Sequence, residues 1–201
     1  MMSANSINNR KAEIIDATYT AIKERGITLP SYELISEKAG ITRQLIRHYY
    51  PSSEDIAIDL CNTLAEAYKN CLVKGILLAG NKDRLPIFLD FYFNFLSEKD
   101  LPKPQDDEVY DAMFAFASTS EKVRKNLHDQ YTLLQMTLAH EVQLTYPKLA
   151  QNKCRELGYL IVITMYGHWK MVATLGFNDE YNQVSRKALD HLIQSYVAKY
   201  C

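Results

Sequence analysis

Four hydrogen-bonding side chains occupy six consecutive positions: Arg43, Gln44, Arg47 and His48. On a helix, Arg43 and Arg47 lie one turn apart, as do Gln44 and His48, so all four share one face. Arginine can donate two parallel hydrogen bonds to O6 and N7 of guanine, and glutamine can make the matching pair with N6 and N7 of adenine. This face is equipped to read base edges in a major groove. A polar face that only meets solvent would have the same composition, and the spacing alone does not separate the two.

The elements that must position this face are legible from Tyr32 to Tyr50. Leu34, Ile35 and Ala39 give one short helix an apolar side, and Ile41, Leu45, Ile46 and Tyr49 give a second one a stripe at helical spacing. Neither is long enough to be stable alone, so they must pack on each other and on a third helix. Gly40 falls where the chain must turn, in a left-handed conformation that costs glycine little. Thr42 suits the next N-cap, and the pattern as a whole predicts a helix-turn-helix.

The segment from Ile14 to Asp55 resembles the DNA-binding domain of the TetR family of bacterial transcriptional regulators. The resemblance rests on Ile14-Ile15-Asp16-Ala17, Glu24-Arg25-Gly26, Ile35-Ser36-Glu37-Lys38-Ala39-Gly40-Ile41-Thr42 and Tyr49-Tyr50-Pro51-Ser52-Ser53-Glu54, aligned without a gap over about a quarter of the chain. It implies that Thr42, Arg43, Gln44, Leu45, Arg47, His48 and Tyr49 form the DNA-binding surface. The chain departs from the family pattern in three places. Arg47 and His48 stand where two aromatics are common, Ser53 where a lysine usually touches phosphate, and Pro30 where threonine is usual, which leaves Ser31 to cap the second helix.

The 201 residues are 47% hydrophobic and 23% charged, with 7 Gly, 6 Pro and no Asn-Gly or Asp-Gly hairpin dipeptide, which predicts an all-α chain of long helices. The net charge of -1 hides an asymmetry. Residues 1–50 carry seven basic and five acidic side chains, so the remainder is acidic by three. That distribution fits a basic nucleic-acid-facing end, since phosphate neutralisation is local.

Helix-start and helix-stop signals predict helices over 6–25, 54–78, 86–96, 108–117, 121–144, 151–175 and 178–200, besides the two short ones, with Pro102-Lys103-Pro104 as a loop. The expected division is a DNA-binding domain at 1–51 and a helical effector-binding and dimerisation domain at 52–201. The 54–78 helix, with Ile56, Leu60, Leu64, Ala67, Cys71 and Ile76 near one side, is expected to link them.

Phe91, Phe95, Phe114, Tyr131, Met136, Met165 and Trp169 can line an apolar cavity or fill core. The resemblance implies a pocket for a small, largely apolar effector among them. It also implies a homodimer through the last two long helices, with Gly158, Ile161, Met165, Val172, Leu189, Leu192, Ile193 and Tyr196 at the interface, and a palindromic double-stranded operator. The resemblance implies a repressor released from that operator when the effector binds; an activator of the same fold, or a helical protein-interaction module, is the alternative.

No enzyme chemistry is expected. The five histidines lie far apart with no His-Glu-x-x-His pattern, there is no glycine-rich phosphate loop, and neither a metal nor a cofactor is implied. Cys61, Cys71, Cys154 and Cys201 lack Cys-x-x-Cys spacing and follow a polar start without an apolar leader, so reduced thiols in a cytoplasmic protein are expected. No apolar run reaches the roughly 18 residues of a membrane span.

Overall fold

The computed structural model of the chain describes residues 4–26, 29–80, 83–97, 101 and 103–201. Pro102 of the expected loop lies outside them. Among the described residues the elements are α1 (Ala4–Arg25), α2 (Tyr32–Ala39), α3 (Arg43–Tyr49), α4 (Ser53–Ala79), α5 (Arg84–Tyr92), α6 (Asp107–Ala117), α7 (Glu121–Thr145), α8 (Gln151–Trp169), a π-helical turn (Lys170–Thr174) and α9 (Tyr181–Tyr200), with no strand. The all-α expectation is met. The chain folds as two compact units, one of residues up to Ala65 with Asp106–His128, the other of Glu66–Gln105 with Asp129–Cys201. The position expected for a domain boundary, 51/52, falls within the first unit, and α4 and α7 each contribute to both.

In the first unit, α1 packs on α2 and α6, and α2 packs on α3. The core is built from Ile14, Ile22, Ile35, Ile46, Tyr50, Ile56, Leu60, Val109, Met113 and Val123, all buried. Local chemistry sets the helix ends. Ser31 caps α2 by accepting from the Leu34 N–H at 3.3 Å. Ser52 and Asp55 form a reciprocal cap at the start of α4: the Asp55 N–H donates to Ser52 Oγ at 3.3 Å, while the Ser52 N–H and hydroxyl donate to Asp55 Oδ2 at 3.3 and 2.8 Å. Ser120 accepts from the Val123 N–H at 3.3 Å, and its hydroxyl donates to Glu54 Oε1, so the start of α7 is tied to the start of α4. Asn126 Nδ2 donates to Asn62 Oδ1 at 3.1 Å about two turns further along both helices.

The second unit is organised around α8. Its residues Cys154, Leu157, Ile161, Val162 and Met165 are buried with Leu85, Leu89, Phe91 and Phe93, with Leu138 and Val142 of α7, and with Leu189 and Ile193 of α9. A Cβ built on Gly158 would lie 2.5 Å from the Gln135 carbonyl oxygen, which places α7 of the same chain directly against that glycine. On α4, Ala67 looks outward instead of joining its apolar row; Tyr68 and Leu72 pack against the core there.

Candidate nucleic-acid interface

The corner between α2 and α3 is closed by backbone and hydroxyl bonds. Gly40 has φ 63° and ψ 28°, its N–H donates to the Ser36 carbonyl, and the Ser36 hydroxyl donates back to the Ile41 carbonyl. Thr42 then caps α3, accepting from the Leu45 N–H at 3.2 Å. The inner side of α3 is anchored by Ile46, wholly buried, with Leu45 and Tyr49 half-buried beside it and Tyr50 closing the helix.

This anchoring leaves Thr42, Arg43, Gln44, Arg47 and His48 exposed. The Arg43 side chain is 61% exposed. Gln44 and His48 run parallel to the two arginines along the same two-turn helix, and His48 meets Tyr49 edge-on with ring centroids 5.3 Å apart.

Two residues at the start of α2 touch these arginines, a relationship that sequence spacing did not bring out. Glu33 Oε1 is 3.7 Å from Arg43 Nη1, and the Arg47 guanidinium carbon is 5.4 Å from the Tyr32 ring centroid. Tyr32 is itself fixed, its hydroxyl donating to the Tyr50 carbonyl at 2.9 Å. Burial raises the Tyr32 phenol above its ordinary value, partly offset by the Arg47 charge.

The basic residues of α1 are more committed. Lys11 Nζ lies 3.4 Å from Asp59 and 4.8 Å from the Tyr50 ring centroid, and Tyr50 donates to the same Asp59 carboxylate at 2.9 Å. Arg10 pairs with Glu13 at 2.6 Å.

The aromatic and methionine side chains considered for an effector are divided between the two units. Phe114 belongs to the first unit and the other six to the second. There, Phe91 and Met165 are buried in the core, Tyr131 and Trp169 are half-buried, and Phe95 and Met136 are exposed. Among the residues considered for a dimer, Gly158, Ile161, Met165, Val172, Leu189 and Ile193 are buried within the chain, and Leu192 and Tyr196 are half-buried. The apolar residues that α8, α9 and their connection leave exposed are Tyr159, Ile163, Met171, Leu175, Phe177, Tyr181, Val184 and Tyr200.

A polar cluster also lies within the second unit. His168 Nε2 donates to Asn182 Oδ1 at 2.8 Å, and its Nδ1 accepts from the Ser185 hydroxyl at 2.9 Å, so the imidazole is satisfied as the neutral form. Next to it the Trp169 indole donates to the Tyr92 carbonyl at 2.8 Å, and Lys103 Nζ stands 3.9 Å from the Trp169 ring centroid. Among the described residues no group of three or more His, Cys, Asp or Glu is placed to hold a metal ion, and no helix is long and apolar enough to cross a membrane.

The fold and the exposed face of α3 define an all-α protein with a capped helix-turn-helix. Its fold is that of solved TetR-family transcriptional regulators. A transcriptional regulator from Pseudomonas aeruginosa PAO1 superposes with a TM-score of 0.78 at 18% identity, covering 96% of this chain and 95% of that one. A TetR transcription regulator from Haloarcula marismortui gives 0.74 at 15% identity, with 96% and 98% covered. A regulator from Saccharomonospora viridis, solved in complex with choline, gives 0.71 at 17% identity, with 93% and 96% covered. No protein-family model matches the sequence, and no curated protein matches it.

Proposed function

We propose that this chain is a sequence-specific DNA-binding transcriptional regulator. In this reading it is a cytoplasmic homodimeric repressor that leaves a palindromic operator when a small molecule binds. The observation that carries the reading is the outward face of α3, where Arg43, Gln44, Arg47 and His48 stand exposed on a helix whose opposite side is buried. These side chains match base-edge chemistry, and the surrounding fold is the one found in solved transcriptional regulators.

Exposed Tyr159 and Ile163, one turn apart on α8, and exposed Val184 on α9 support a second copy of the chain as partner. A two-fold pair would set two α3 helices about one DNA turn, roughly 34 Å or a multiple, apart. Half-buried Tyr131, packed against the core that holds Phe91 and Met165, and half-buried Trp169 support a largely apolar effector in the second unit, and the choline complex of a regulator with this fold supports small-molecule binding. An effector acts by favouring one arrangement of the two heads, and by reciprocity operator DNA weakens effector binding by the same factor.

Selection of bound sequences from random duplex DNA tests the reading. The expected result is a symmetric site with two half-sites, bound with steep salt dependence. Recovery of no enriched sequence, or binding indifferent to salt, overturns it. The second outcome points instead to a protein-interaction module.

A further inference from the structure

We propose that Tyr32 and Glu33, the first two residues of α2, are positioning residues that set base specificity by holding Arg47 and Arg43. The inference rests on the DNA-binding reading above and adds to it a pair of residues outside the reading helix.

The geometry joins two contacts. Arg43 and Arg47 project from successive turns of α3, and each meets one of two adjacent residues of α2: Glu33 Oε1 at 3.7 Å from Arg43 Nη1, and the Tyr32 ring at 5.4 Å from the Arg47 guanidinium carbon. Tyr32 has little freedom of its own, because its hydroxyl donates to the Tyr50 carbonyl at the far end of α3. The start of α2 is fixed as well by the Ser31 cap and by buried Ile35. A rigid element therefore holds a carboxylate beside one guanidinium and an aromatic face beside the other.

Arginine carries many rotamers, and a bidentate contact demands one of them. A partner that narrows the choice before contact lowers the ordering cost of the correct base pair and leaves wrong pairs without that benefit. The Glu33–Arg43 pair is weak in water, since both side chains are largely exposed. Against a duplex, where water is excluded, the same pair strengthens. A glutamate on a surface facing phosphates would otherwise only repel them, so the proposal and the alternative of a simple first-turn acid on α2 predict different results when its charge is removed.

The test uses the full chain and the duplex recovered by selection, together with every single-base-pair variant of one half-site. Glu33→Gln is expected to reduce discrimination roughly tenfold at the base pair where Arg43→Ala does so, while binding to unrelated duplex tightens because a negative charge is gone. Tyr32→Leu is expected to do the same at the Arg47 base pair, and Tyr32→Phe, which keeps the ring, to retain discrimination. In an Arg43→Ala background, Glu33→Gln should change no base preference further. A uniform change across all duplexes assigns the residues only a structural or electrostatic role and overturns the proposal, as does unchanged discrimination. If the unaltered protein selects no sequence, the DNA-binding reading fails and takes this inference with it.

Discussion

Gly158 and Gln135 hold α8 and α7 in contact so close that any side chain at 158 would meet the backbone oxygen of 135 at 2.5 Å. Helix propensity alone would favour alanine there by about 1 kcal/mol. The collision is with backbone, which cannot rotate away, and overpacking of this kind costs about 1–3 kcal/mol. Gly158→Ala is therefore expected to destabilise the protein. Gly167, on the same helix, has nothing within 4 Å of its built Cβ, and Gly167→Ala should stabilise by up to about 1 kcal/mol. Urea unfolding of the two variants checks the opposite signs.

The corner before α3 depends on two local features. Thr42→Ala removes the hydroxyl that accepts the Leu45 N–H and should cost about 1 kcal/mol. Gly40→Ala forces a side chain into the left-handed region at φ 63° and should cost about 1–2 kcal/mol. Thermal unfolding reads both, and unchanged melting would show that this corner is held by its surroundings instead.

Protonation of His168 opposes folding. Burial lowers its pKa below the ordinary 6.5, the Asn182 hydrogen bond opposes that shift, the Lys103 charge adds to it, and Asp179 opposes it. The unfolded chain thus takes up the proton more readily, so the stability tied to neutral His168 is complete above about pH 6.5 and is lost as the pH falls below it. Melting temperature should drop more steeply on acidification in the unaltered protein than in His168→Gln, where the other four histidines remain. Parallel curves would rule the contribution out.

Thiol reactivity should follow burial. The Cys61 thiol is pushed up to about 12 by its surroundings, and burial raises Cys154 as well, whereas Cys201 is exposed at the chain end. Alkylation of the native protein, followed by mass mapping, should modify Cys201 first and reach Cys61 and Cys154 only on unfolding. Prompt labelling of Cys61 would contradict the packing around α4.

Local chemistry made much of the fold legible in advance. Gly40, Thr42, Ser31 and Ser52 act on neighbours within three or four residues, so their roles could be read from order alone. The exposed set on α3 followed from the buried stripe behind it. Helix ends inside apolar runs were less visible. α5 stops at Tyr92 rather than 96, where Phe93 stays buried and Asn94 takes φ 64°, and nothing in a continuous aromatic run marks that stop. α9 starts at Tyr181 rather than 178, after the Asn178 side chain accepts the Glu180 N–H at 3.0 Å.

Long-range packing was hidden in the same way. Gly158 reads as a small residue suited to helix contact, and only coordinates say which helix it meets. The grouping of residues 106–128 with α1–α3 depends on contacts such as Ser120 with Glu54, 66 positions apart. Glu33 and Tyr32 lie next to α3 in space but ten or more positions away in sequence from the arginines they meet.

The π-helical turn at Lys170–Thr174, which ends α8, holds about one residue more per turn than the α-helix before it. A turn closed by i→i+5 bonds spreads its extra residue over about the same rotation, so removing a single codon from this stretch would restore the α-helical pitch and leave Leu175 and Phe177 near their present bearing. The end of α8 can therefore absorb a one-residue change in length without re-aiming the apolar corner that follows it.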